Sequence, residues 1–207
     1  MPNKPSADTT KKVEPLVKFI SQIAPLNKEI EKYIYDHCFP KKLLRGKFLL
    51  KPGEHCQHYY FIHKGLLRAY IKYAGKEITT WINPENEITT SIRSMSNNEP
   101  SREYIQALED SDLIVIPYTA LQQLYDNYPV MNTIGRIVLE EYYGGAEDRA
   151  FISRIPNAEM RYDHFLRSSP ELATRVPSKY IASYLGMTEE TLSRLRRKKT
   201  MKEKKAL

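Results

Sequence analysis

Cysteine is nearly missing from this 207-residue chain: Cys38 and Cys56 are the only two. Two thiols cannot staple a domain of this length, so the fold has to rest on a hydrophobic core. No apolar run approaches the roughly 20 residues that a membrane-spanning helix needs. The opening stretch, MPNKPSADTTKK, has no apolar run at all. Neither a secretory leader nor a membrane anchor is expected, and the expected compartment is the cytoplasm. Glycine is scarce, with 8 residues, and no glycine-rich phosphate loop leads into a helix. No Ser-His-Asp, Cys-His or paired-carboxylate setting stands out, so an enzyme is not expected. His55, Cys56, His58 and His63 lie close in sequence, but their spacing matches no zinc arrangement, and no metal site is expected.

What the chain does have is positive charge, unevenly placed. Residues 155–207 hold 12 Lys and Arg against 6 Asp and Glu, whereas residues 1–154 hold 20 against 19. Almost all of the net charge of +7 therefore sits in the last quarter. Such asymmetry implies a polyanionic partner, nucleic acid or an anionic surface.

The apolar spacing in that quarter chooses between them. Ile181 and Leu185 are four apart, and Leu192 and Leu195 three apart, so each pair shares one helix face. Gly186 supplies a left-handed residue between the two helices, and Thr188 is a good N-cap for the second. Ala182 is small enough for a close crossing. Two short helices joined by such a turn form a helix-turn-helix, whose second helix enters the major groove. Thr188, Glu189, Glu190, Thr191, Ser193 and Arg194 then occupy the exposed N-terminal half of that helix. Arg194 is expected at a guanine; Glu189 and Glu190 either accept from cytosine or only complement the helix dipole. Ser178, Lys179, Arg197 and Lys198 are expected on phosphates, setting register. A second reading, from another class, has these helices docking on an acidic protein.

Upstream the texture changes. Residues 15–38 carry two short helical patterns interrupted by Pro25. From Leu43 to Asn83, short alternating runs are punctuated by Gly53, Gly65 and Gly75, which reads as an antiparallel barrel or sandwich. A further strand pair covers Tyr104–Pro117, and TALQQLYDNYP forms a short helix stopped before Pro129. Val130–Arg154 reads as a long helix with Met131, Ile134, Val138 and Tyr142 on one stripe. Gly144 and Gly145 within it are explained by the close approach of a second helix or by a kink. The expected fold class is α+β, and four segments are expected. Residues 1–14 are disordered; 15–129 form a sensory β-roll with flanking helices; 130–154 form a dimerisation helix; 155–207 form a small all-α helix-turn-helix domain with a basic tail.

The pieces KPGE (Lys51–Glu54), YFIHKGLLRAY (Tyr60–Tyr70) and GKEIT (Gly75–Thr79) precede MRYDHFL (Met160–Leu166) and VPSKYIASYLGMTEETLSRLRRK (Val176–Lys198). In this order they resemble the Crp/Fnr family of bacterial transcription regulators, over about residues 15–199. The resemblance implies a cyclic-nucleotide-binding-like roll and a homodimer paired through the long helix. It also implies a near-palindromic double-stranded DNA operator and contact with RNA polymerase. The family's β-hairpin wing has no counterpart in the fourteen residues from Arg167 to Tyr180 or in the tail KTMKEKKAL, so that tail is expected to take some phosphate contacts. The N-terminal cysteine cluster of the Fnr branch is absent as well.

The resemblance also locates an effector cassette, and there the chain departs from the pattern. Members that bind cyclic nucleotides place a Gly-Glu-Leu turn before an Arg that holds the phosphate. Here the turn is Asn86-Glu87-Ile88, and the Arg position holds Ser101, with Arg102 one residue late and so pointing the other way. Glu87, Ser101, Arg102 and Tyr104 are the candidate ligand residues, with Trp81 on a flanking strand. Cyclic AMP is expected to bind weakly or not at all. No cofactor is expected and the effector stays open, cyclic AMP being the runner-up.

Overall fold

Apolar residues at helical spacing build the N-terminal end of the chain, whose computed structural model describes residues 7–206. Helix α1 (Ala7–Ile23) buries Val13, Leu16, Val17 and Ile20 along one face. Residues 7–14, expected to be disordered, are its first half; the apolar stripe starts at Val13, ahead of Pro15, and draws the preceding turns into the helix. Residues 1–6 of that segment lie outside the described residues. Helix α2 (Lys28–His37) starts at Asn27, whose Oδ1 accepts the Ile30 N–H at 2.8 Å, and buries Ile30 and Ile34.

The strands follow as β1 (Phe39–Leu43), β2 (Phe48–Leu50), β3 (His58–Lys64), β4 (Leu67–Tyr73), β5 (Lys76–Asn83), β6 (Ile88–Thr89), β7 (Tyr104–Ala107) and β8 (Ser111–Pro117). They form two four-stranded sheets, ordered β1-β8-β3-β6 and β2-β7-β4-β5. This is the antiparallel roll. A short helix, α3 (Ile92–Asn97), lies between β6 and β7. Helix α4 (Tyr118–Asn127) leads into the long α5 (Pro129–Arg154), and then come α6 (Ala158–Ser168), α7 (Pro170–Arg175), α8 (Ser178–Tyr184) and α9 (Glu189–Ala206). The segment between α6 and α8, read as connection, contains α7. The basic tail through Ala206 continues α9 as helix.

Two units emerge from this chain. One comprises the residues up to Ala69 together with Ile82–Glu141; the other comprises Tyr70–Trp81, the outer part of the β4–β5 hairpin, together with the chain from Tyr142 onward. The boundary therefore falls inside α5, not at its end. In the first unit Phe61, Ile114 and Ile116 of one sheet pack against α1, α2 and α4, and Met131 and Ile134 of α5 complete the cluster.

That packing corrects the reading of the long helix. The stripe Met131, Ile134 and Val138, expected to face a second copy, covers the chain's own core. Periodicity marks an apolar face without saying what will cover it. Tyr142 lies against Trp81, with ring centroids 5.1 Å apart. Another face of α5 is left to solvent: Leu139, Tyr143 and Phe151 are 59%, 67% and 58% exposed. Among the described residues, nothing beyond the adjacent backbone of α5 lies within 4 Å of where a Gly144 Cβ would stand, so no other described helix approaches it. Among the described residues no helix is long and apolar enough to cross a membrane.

Candidate nucleic-acid interface and effector cassette

The turn between α8 and α9 is built from backbone geometry. Gly186 takes φ +62°, and its N–H reaches the Ser183 carbonyl at 3.3 Å while the Met187 N–H reaches that of Ala182 at 2.9 Å. These paired bonds form a Schellman cap, which satisfies the last carbonyls of α8 and turns the chain. Thr188 then caps α9, its Oγ1 accepting the Thr191 N–H at 3.1 Å. Glu189 and Glu190 sit in the first turn. Ile181, Ala182, Leu185, Leu192 and Leu195 are all buried and hold the two helices together. Thr188, Glu189, Glu190, Ser193, Arg194 and Arg197 are exposed, and Thr191 is half-buried.

Not every residue expected on phosphate is free for it. Lys198 Nζ lies 2.6 Å from a Glu159 carboxylate oxygen on α6, and Lys199 pairs with Asp163 at 2.6 Å. Ser178 Oγ accepts a bond from Arg196 at 2.6 Å, which leaves its own proton for an outside acceptor. Lys179 is exposed and stands 4.8 Å from the Tyr180 ring centroid.

Arg196 is one residue that sequence reasoning missed. Its guanidinium donates to Ser178 Oγ, to the Ala173 carbonyl at 3.1 Å and to Tyr162 Oη at 3.3 Å. One fork thus ties α9 to α6, α8 and the end of the short α7. Burial of the neighbouring Tyr162, Val176 and Leu192 keeps this cluster apart from the exposed cations around it. The only signal in sequence was its spacing: Arg196 lies four residues after Leu192, on the buried side of α9.

A second tie joins α8 to the hairpin. Ser183 Oγ accepts the Thr79 N–H at 2.9 Å and donates to the Glu77 carbonyl at 2.7 Å, both on β5. Trp81, expected beside the effector cassette, instead packs on α5, with the Arg149 guanidinium over its ring at 3.0 Å.

In the cassette, Asn86 takes the left-handed φ of +63° that the turn requires. Its N–H reaches the Ile62 carbonyl at 2.8 Å, and the Ile62 N–H returns to Glu87 at 2.9 Å. The Glu87 carboxylate accepts from Asn83 Nδ2 at 2.6 Å. Past the turn come three serines. Ser91, Ser94 and Ser101 are all buried. Ser94 Oγ accepts the Cys56 N–H at 2.9 Å and donates to the Glu99 carbonyl at 2.6 Å. Ser101 Oγ accepts the Glu103 N–H at 3.0 Å and lies 3.4 Å from Ser91 Oγ.

Arg102 and Arg93 are exposed. Burial raises the Glu103 carboxyl above its ordinary range, while the charge of Arg93 pulls it partly back. Tyr104 does not line this interior: it alternates with the buried Ile105 and Ala107 and packs on Phe48, ring centroids 5.7 Å apart. Arg68 on β4, which sequence reading passed over, is almost fully buried, its Nη2 3.4 Å from Gln106 Oε1.

This architecture has relatives. The family model for the cyclic nucleotide-binding domain matches residues 40–128. The fumarate and nitrate reduction regulatory protein of Vibrio cholerae is 30% identical over 171 residues. That match spans 75% of this chain and 66% of the relative, so the chain covers about two thirds of the relative's length. The chain belongs to the Crp/Fnr family. Solved Crp/Fnr-type structures show the same fold. FixK2 of Bradyrhizobium japonicum superimposes with a TM-score of 0.69 at 16% identity, over 80% of this chain and 86% of that one. A Eubacterium rectale protein described as a Crp/Fnr transcriptional regulator gives 0.69 at 18% identity, over 89% and 88%. Within this Crp/Fnr chain, Ser91, Ser94 and Ser101 are the buried hydroxyls that follow the Asn86 turn.

Proposed function

We propose that this Crp/Fnr protein is a homodimeric, sequence-specific DNA-binding transcription regulator whose roll does not hold cyclic AMP by the usual phosphate contact. The observation that carries the first part is the outer surface of α9. Its N-terminal half presents Glu189, Glu190, Ser193 and Arg194 to solvent while Leu192 and Leu195 anchor the opposite side. Arg194 is the reader, able to fork onto guanine. Arg197, Lys179 and the free proton of Ser178 are the positioning contacts; Lys198 joins them only by leaving Glu159.

Arg194→Ala is expected to cost about 1–3 kcal/mol at one base position and to relax specificity there. Arg197→Ala is expected to weaken all sequences alike and to lower the salt slope by about one. A base-substitution panel read at several salt concentrations checks both; identical profiles for the two variants would dissolve the division of roles. Persistence of duplex binding in excess non-specific acidic polymer separates this reading from docking on an acidic protein.

The dimer is assigned to the exposed face of α5 at Leu139, Tyr143 and Phe151 and not to the stripe buried in the core. Pairing there would set two recognition helices about 34 Å apart, matching a near-palindromic operator. Sedimentation is expected to show a dimer at micromolar concentration that Tyr143→Glu converts to monomer. A monomeric parent protein would overturn this part.

The effector argument rests on Ser101. A small hydroxyl engaged with Glu103 stands where a phosphate-holding guanidinium belongs, and Arg102 points to solvent. Titration calorimetry with cyclic AMP and cyclic GMP is expected to show no micromolar binding. Tight binding abolished by Arg102→Ala would show instead that this arginine swings in and that cyclic AMP is the effector.

A further inference from the structure

The sheet β1-β8-β3-β6 has two faces with different occupants. Tyr60 pairs with Thr89 and Val115, which places these three on one face; Phe61 pairs with Ile88 and Ile114, which places them on the other. The second face meets the helices. Between that face and α1, α2, α4 and the first half of α5 lies a pocket of about 150 Å³, which opens to solvent beside the exposed Leu139. Leu16, Phe19, Ile20, Ile34, Leu124 and Val138 form much of its wall. An engineered cavity of about this volume with the same kind of lining takes up benzene.

Two further observations narrow the occupant. Among the described residues no Asp, Glu, Lys, Arg or His lines the pocket, so a charged guest would sit there without a counter-charge. A small polar element is present nonetheless. The Tyr125 hydroxyl crosses Gly135, where a Cβ would stand 2.6 Å from it, and Tyr125, Tyr59 and Gly135 all belong to the wall. The missing side chain of Gly135 thus leaves room for the phenol to lie close against α5 beside the pocket. Burial raises the Tyr125 phenol and pushes the Tyr59 phenol up to about 12, so both stay neutral and able to donate near neutral pH.

We propose that this cavity binds a small, neutral aromatic molecule, of benzene to indole size, carrying at most one hydrogen-bonding group. The site shares no side chain with Glu87, Ser91, Ser94 or Ser101, and faces the other side of β6. It does not depend on the chain's reading DNA. Its guest touches Met131, Ile134, Gly135 and Val138, and so bears directly on the first half of α5.

The test uses the full chain and thermal unfolding with benzene, phenol and indole as probes. A saturable rise in Tm with phenol or indole is expected, because a ligand that binds only the folded state stabilises it. Cyclic AMP is expected not to compete. Val138→Phe, which fills the void, is expected to weaken probe binding at least tenfold with its circular dichroism unchanged. Leu124→Ala, which enlarges it, is expected to tighten indole relative to phenol. No saturable shift with any of the three probes overturns the proposal, whatever the enlarged variant does. Equal binding by Val138→Phe and the parent protein also overturns it, since the probe then sits elsewhere.

Discussion

Gly65→Ala is expected to destabilise the first unit by about 2–5 kcal/mol, adding a backbone cost to a steric one. Gly65 makes the β3–β4 turn at φ +102°, where side chains are strained. A Cβ there would stand 2.3 Å from Ser111 Oγ and 2.7 Å from Ser111 Cα. Ser111 cannot retreat easily. It is buried, opens β8 and pairs with Leu43 of β1. The Gly65 N–H meanwhile donates to a Glu85 carboxylate oxygen at 2.9 Å, which fixes the turn from the other side. Gly75→Ala is the control, since Gly75 has a similar positive φ of +77° with no atom within 4 Å of a Cβ. Only the backbone cost of about 1–2 kcal/mol should appear there. Urea denaturation of the two variants checks the difference, and equal losses would remove the steric part of the argument.

Arg196→Ala is expected to loosen the helix-turn-helix by about 2–4 kcal/mol, because hydrogen bonds to a charged group are worth more than neutral ones and their partners lie partly buried. The guanidinium bonds Tyr162, Ala173 and Ser178 at once, so α6 and the α7–α8 junction lose a shared anchor together. Arg196→Lys should recover only part of the loss, since an ammonium lacks the planar fork. Hydrogen exchange at the amides of α6 and α8 reads the effect directly. DNA affinity should fall for every sequence alike, as expected when a scaffold and not a reader is removed. Unchanged exchange together with a defect at one base pair would make Arg196 a reading residue.

The contrast between Arg194 and Arg196 shows what the sequence could disclose. The helix-turn-helix was legible because its signals are local: Gly186 at the turn, Thr188 at the cap, and apolar pairs three or four residues apart. The strands of the roll were legible for the same reason, through alternation and punctuating glycines. Arg196 was hidden because a run of cations reads as a surface facing a polyanion, and only the packing of α6 and α7 shows one member turned inward. The long helix was half legible. Its stripe at Met131, Ile134 and Val138 announces burial, but a stripe covered by the same chain looks identical to one covered by a second copy. In the cassette, the sequence reading expected Ser101 at the arginine position, yet it did not foresee that Ser91, Ser94 and Ser101 would all be buried, with Ser94 and Ser101 bonded to the backbone. Tyr104 was misassigned because one residue of register decides which face of a strand it joins.

The bond pair made by Ser183 bears on a different property of the molecule. Strand β5 stands at the edge of its sheet, and an edge strand offers unpaired N–H and C=O groups to any passing chain. The Ser183 hydroxyl answers one of each, the Thr79 N–H and the Glu77 carbonyl. A single side chain on a helix thus imitates one residue of a neighbouring strand. The hairpin's outer edge is blunted where a second molecule would begin to add, and the protection against strand-by-strand aggregation is supplied by the first helix of the helix-turn-helix.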